Sequence, residues 1–157
     1  MKKIMFSAIV AATFLASCSS DDSDKTTTTG GFSTNPVSGV IYDNDFTVGG
    51  GTASTVNANG EDVLYIHLSR SAMDCDSNAD TPIWIIVPAA VGSYDSPDAS
   101  VQFSDDEHGS FEGGYNERVE IISITETTIK GRVIAEGFDE AENSINGTFE
   151  VVNCTID

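Results

Sequence analysis

The chain has 157 residues, and its 25 acidic side chains against seven basic ones give a formal net charge of −18. A polyanion of this density excludes nucleic acid as a partner, since that binding relies on Lys and Arg neutralising phosphates, and it is a poor fit to lying flat on an anionic membrane. Cations, basic proteins and neutral glycans stay open as partners, and the charge also serves solubility.

The first element is a leader. Lys2 and Lys3 precede an apolar run from Ile4 to Leu15 broken only by Ser7 and Thr13. A permanent membrane helix needs about 20 apolar residues, so this run reads as a signal peptide over residues 1–17. Leu15-Ala16-Ser17-Cys18 resembles the lipobox of bacterial lipoproteins. That resemblance implies cleavage before Cys18, acylation of Cys18, and contact with the membrane through the N-terminal lipid. Ser19, where an aspartate would imply inner-membrane retention, points to the outer membrane of the cell envelope. The acidic, serine-rich run Ser19 to Asp24 looks like the export signal of surface-displayed Bacteroidetes-type lipoproteins, or else is a solvated spacer. Without the leader the basic side chains are Lys25, Arg70, Arg118, Lys130 and Arg132.

Residues 18–35, with Thr26 to Thr29 and Gly30-Gly31, offer little to bury and predict a lipidated cysteine on a disordered, flexible tether. Residues 36–157 then form a single domain of about 120 residues, enough for one core.

In this domain the apolar residues repeat with period two. Val63 to Leu68 and Ile83 to Val87 are β-branched or aromatic on both faces, which predicts central strands covered on both sides. Val119 to Ile124 is similar. Val37 to Tyr42, Thr52 to Ala58, Val101 to Phe103 and Ile129 to Ala135 are shorter candidates, and Ile145, Gly147, Phe149 and Val151 share one face of a half-wet strand. Gly49-Gly50-Gly51, Asn59-Gly60, Asp95-Ser96-Pro97-Asp98 and Gly113-Gly114 are expected turns. The repeated Ile-x-Gly-x-apolar pattern at Ile129 to Val133 and Ile145 to Phe149 predicts that these two strands pair, each glycine making room for a bulge or a ring. The expectation is an all-β domain: an antiparallel β-sandwich or a small, partly open β-barrel of about seven or eight strands. This ending, with Ser38 to Tyr42 near the start, resembles uncharacterised Bacteroidetes-type lipoproteins with a compact β domain, a resemblance that implies no activity.

With Cys18 consumed by lipid, Cys75 and Cys154 remain as an even pair in an oxidising compartment, and a disulfide between them is expected. The run Asp74-Cys75-Asp76-Ser77-Asn78-Ala79-Asp80 places Asp74, Asp76, Asn78 and Asp80 at the alternate positions of a calcium loop. Ala79 stands where the EF-hand glycine belongs and Ile85 where its bidentate glutamate belongs, so calcium would need a further acid; the alternative is a solvated acidic loop.

No G-x-S-x-G elbow, H-E-x-x-H pair or phosphate-cradling loop occurs, and carboxylate pairs such as Asp105-Asp106 are expected by chance in so acidic a chain. His67 lies inside an apolar strand and His108 among acids. The expectation is therefore a domain that binds and does not catalyse: a module for glycan or protein with Tyr94, Phe111 and Tyr115 as loop contacts. The alternatives are an inhibitor of a basic, lysozyme-like enzyme, which strong negative charge would favour kinetically, and a structural envelope lipoprotein.

Overall fold

A computed structural model describes residues 28–29, 31–105, 110–138 and 143–155. It is all-β. The strands are β1 (Thr28–Thr29), β2 (Phe32–Ser33), β3 (Ser38–Ile41), β4 (Asn44–Thr47), β5 (Gly50–Ala58), β6 (Glu61–Ser69), β7 (Ile83–Pro88), β8 (Gly92–Asp95), β9 (Ser100–Asp105), β10 (Ser110–Ile124), β11 (Thr128–Gly137) and β12 (Ser144–Asn153). Seven of them close into a barrel in the order β11-β10-β9-β7-β6-β5-β12, with β11 pairing β12 to complete the ring. In a ring of antiparallel neighbours strand direction must alternate, which an odd number cannot satisfy; seven strands therefore require one parallel pair. That pair is β5 with β12, and it rests on only two registers, Val152↔Thr52 and Asn153↔Ala53. Of the two architectures open from the sequence the barrel is the one formed, and it is closed.

Of the remaining strands β1 and β2 pair with each other, and β3, β4 and β8 are explained by two ring strands that change partner. β12 pairs β3 at Ser144 to Asn146 before it meets β5, so the β3–β4 hairpin fills the space below that short seam. β10 pairs β9 through Ser110 to Gly113 and β8 through Arg118 to Ile121. Between β8 and β9 the chain detours through the cis Ser96-Pro97 peptide, at the expected turn. The Asn59-Gly60 turn also forms, with φ of 57° and 92°, the left-handed pair that a two-residue hairpin needs to match strand twist. Gly113-Gly114, expected as a turn, instead lies inside the 15-residue β10, and Gly50 and Gly51 open β5.

The predicted late hairpin is present, with Ile129↔Val151, Gly131↔Phe149 and Val133↔Gly147 in register. The interior is solid. Leu64, Ile66, Leu68, Ile83, Ile85, Val101, Phe103, Val119, Ile121, Ile129 and Val133 are inaccessible to solvent, so the barrel is a packed core and not a ligand-holding calyx. Buried Asn143 ties the turn at Tyr42 to β10 and β11: its Oδ1 accepts from the Tyr42 N–H at 2.6 Å, its Nδ2 donates to Glu112 Oε2, and its carbonyl accepts from the Gly137 N–H at 2.7 Å. Among the described residues no buried side-chain nitrogen or oxygen lacks a partner.

The fixed fold starts earlier than residue 36. Phe32 is 2% exposed, lying on the outside of the barrel under the guanidinium groups of Arg132 and Arg118 at 4.6 and 5.7 Å. Ser33 N–H donates to Asn146 Oδ1, Asn146 Nδ2 donates to the Gly31 carbonyl, and Thr148 N–H donates to the Asn35 carbonyl. Residues 31–35 thus belong to the domain and strap the β11–β12 side. Residues 1–27, with Cys18 and the expected signal peptide, lie outside the described residues.

Candidate functional site

Strand alternation puts Leu64, Ile66 and Leu68 of β6 and Ile83, Ile85 and Val87 of β7 into the core, so Val63, Tyr65, His67, Trp84 and Ile86 must face outward. The sequence reading covered both faces of these strands. The structure buries one, and the outer side chains are half-buried. Cross-strand registers arrange them in rows: Thr52, His67, Trp84, Gln102 in one, Ser54, Tyr65, Ile86, Ser100 in the next, and Val56, Val63, Pro88 in the third. No residue in these rows is acidic or basic apart from His67, in a chain with 25 acids. Charge lies at the ends of these strands, with Glu61 and Asp62 at one end and the Arg70–Asp80 pair of the β6–β7 loop at the other.

The centre of this face is the His67–Trp84 pair, whose rings stack with centroids 4.7 Å apart and planes 27° from parallel. Partial burial with no acid alongside lowers the His67 pKa, which keeps the imidazole neutral and the face uncharged near pH 7. The Trp84 indole N–H donates to the Thr81 carbonyl at 2.8 Å, so the ring is held from the β6–β7 loop. That loop is itself pinned. The Cys75–Cys154 disulfide, across a Cα separation of 5.5 Å, ties it to the end of β12 beside β5, and Arg70 pairs with Asp80 at 3.6 Å. The expected disulfide therefore has a local role: it fastens the loop that orients Trp84.

The four oxygen residues proposed for calcium are not drawn around a common point. Asp74 Oδ1 accepts from the Ser77 hydroxyl at 2.7 Å and the Asp76 N–H at 3.2 Å, closing a tight local turn, and Asp80 faces Arg70. Asn78 is an exposed position of the same loop. Among the described residues no three His, Cys, Asp or Glu side chains are grouped to hold a metal ion.

The three loop aromatics separate. Tyr94 is packed on the core with its hydroxyl donating to the Ala90 carbonyl at 2.9 Å, which makes it an anchor of the β7–β8 turn. The Phe111 side chain and His108 lie outside the described residues. Tyr115 is exposed, but it sits on β10 against Phe138 and is not one of the His67–Trp84 row.

The outer face was missed because hydrophobic strands of this type are usually buried on both sides. One signal was available: Tyr65, His67 and Trp84, the residues with polar tips, all fall on the outward parity. Comparisons of the chain with protein-family models, with curated proteins and with solved structures give no significant match.

Proposed function

We propose that this protein is a lipid-anchored protein of the cell envelope, held through Cys18, that binds neutral glycan on the outer face of β5, β6, β7 and β9. The supporting observation is the uncharged aromatic surface of Tyr65, His67 and Trp84 in a strongly acidic chain. Apolar C–H faces of sugar rings stack on aromatic rings, while Thr52, Ser54, Ser100 and Gln102 at the margins can exchange hydrogen bonds with hydroxyl groups. A charged ligand would gain nothing from these rows.

Position agrees with this reading. Counted around the ring, β7 is three strands from β11 and three from β12, so Trp84 lies opposite the side strapped by residues 31–35. A tether leaving from that side leaves the aromatic face unobstructed.

Binding to a glycan panel, followed by calorimetry on the best ligand, tests the proposal. Trp84→Ala and Tyr65→Ala should each weaken binding about tenfold or more, as expected for aromatic contacts at a binding centre, with little dependence on salt. Absence of any glycan ligand, or binding that Trp84→Ala leaves intact, refutes it. The lipid anchor has its own test: Cys18→Ser should release the protein from the membrane fraction.

A further inference from the structure

A second pair of exposed aromatic rings lies on β10 and just past β11. Phe138, at the end of β11, is 72% exposed, the most exposed large apolar side chain among the described residues. Its ring packs against Tyr115 of β10, itself 38% exposed, with centroids 5.0 Å apart and planes 35° from parallel. Beside the pair lies Glu136, which accepts hydrogen bonds from the Tyr115 hydroxyl and from Asn116 Nδ2, the latter at 3.1 Å. These bonds fix the carboxylate next to the two rings and leave it lone pairs to spare, since an ionised carboxylate offers about four acceptor sites.

Two exposed rings with a fixed carboxylate at their edge suit a delocalised cation that stacks on one and pairs with the other. Elsewhere in the chain that combination is already filled from within: Arg132 and Arg118 lie over Phe32, Arg70 lies over Phe46, and each of these arginines also has an acidic partner. Lys130 is held by Glu150 at 3.0 Å. At Tyr115 and Phe138 no such contact from the described arginines or lysine is present. Arg132 thus shows within the protein one cation shared between a ring, Phe32, and a carboxylate, Glu120.

We propose that Tyr115, Phe138 and Glu136 receive an arginine side chain of a basic protein partner. Arginine fits better than lysine because its planar guanidinium stacks on a ring while its N–H fork reaches a carboxylate, whereas an ammonium is a strongly hydrated point charge. The net charge of −18 draws such a partner in, and the aromatic pair supplies discrimination that charge alone does not give. This surface is separate from the glycan face, and either can fail without the other.

The test uses the oxidised protein with nona-arginine and nona-lysine peptides as probes, in surface plasmon resonance at moderate salt. The wild type should bind nona-arginine about threefold to fivefold more tightly than nona-lysine, the scale of an exposed cation–π contact. Phe138→Leu keeps bulk and removes the π face, and Tyr115→Leu does the same; each should abolish the preference for arginine. Glu126→Gln, on the β10–β11 turn at the far end of the same hairpin, should preserve it, and so should Trp84→Ala. Both aromatic side chains are exposed, so unchanged melting temperatures confirm that the variants are folded. Equal affinity of the wild type for the two peptides, or an undiminished arginine preference in Phe138→Leu, overturns the proposal.

Discussion

Gly131 lies directly opposite Phe149, and the Phe149 ring fills the space that a side chain at position 131 would occupy. A Cβ there would stand 2.5 Å from Phe149 Cζ and 2.6 Å from the Glu120 carbonyl oxygen. The ring could turn aside; the backbone carbonyl cannot do so without disturbing the β10–β11 ladder. Gly131→Ala should therefore cost about 2 kcal/mol, in the range of core overpacking. Urea unfolding measures it. Adding Phe149→Leu should not restore stability, because the Glu120 contact persists, and full recovery in the double variant would refute this account.

Phe32 makes the outer strap part of the domain. Buried under Arg132 and Arg118, it contributes apolar burial and two cation–π contacts, so Phe32→Ala should cost about 3 kcal/mol, at the lower end for a buried phenylalanine. Truncation makes the same point without a substitution. A chain starting at residue 28 should melt close to the full-length protein, whereas one starting at Pro36 should melt several degrees lower. Equal melting temperatures would place residues 31–35 outside the cooperative unit.

The parts of this fold legible in the sequence were those governed by local rules. Ile129 and Ile145 with their glycines announced a pair of strands, and Asn59-Gly60 announced a tight turn, because each is decided by neighbours along the chain or directly across it. β4 and β8 were missed because Asp45 and Ser93 interrupt any apolar alternation; they are held as edge strands by β3 and β10, whose positions only closure of the ring determines. Gly113-Gly114 carries a turn signal, and long-range pairing overrides it. The candidate site was hidden for a related reason. Period two says that Tyr65 and Leu64 face opposite ways, but which side has a second layer depends on the whole topology.

The disulfide is expected to matter both globally and at one ring. Cys75 and Cys154 are 79 residues apart, a loop whose closure is worth at most about 4.5 kcal/mol in the chain-entropy account. Reduction, or Cys75→Ser with Cys154→Ser, should lower the melting temperature by about 10 °C or more. The same treatment should shift the fluorescence of Trp84, the single tryptophan, because Thr81 of the tethered loop accepts its indole N–H. A melting shift without a spectral change would show that the loop holds Trp84 unaided.

Glu117 makes a pH-dependent contribution that can be isolated. An extra residue in β10 between Tyr115 and Arg118, with Asn116 at φ 50°, forms a bulge, and Glu117 is 8% exposed there. Past Gly113 β10 no longer pairs with β9, and the Glu117 carboxylate forms a hydrogen bond with the backbone of Val101. Desolvation raises its pKa above the ordinary glutamate value, and the Val101 bond opposes this only in part. The folded state thus holds this proton more tightly than the unfolded chain does. Its contribution to stability is complete below the ordinary glutamate pKa and is lost as pH rises through the raised one. Glu117→Gln keeps an acceptor for Val101 and removes the charge, so it should stabilise the protein by about 1 kcal/mol at pH 7 relative to its effect at pH 4. Urea midpoints of both proteins at pH 4, 5, 6 and 7 give the comparison, and subtracting the wild type removes the general response of so acidic a chain. A difference that stays constant across that range would show that Glu117 ionises in the barrel as it does in water.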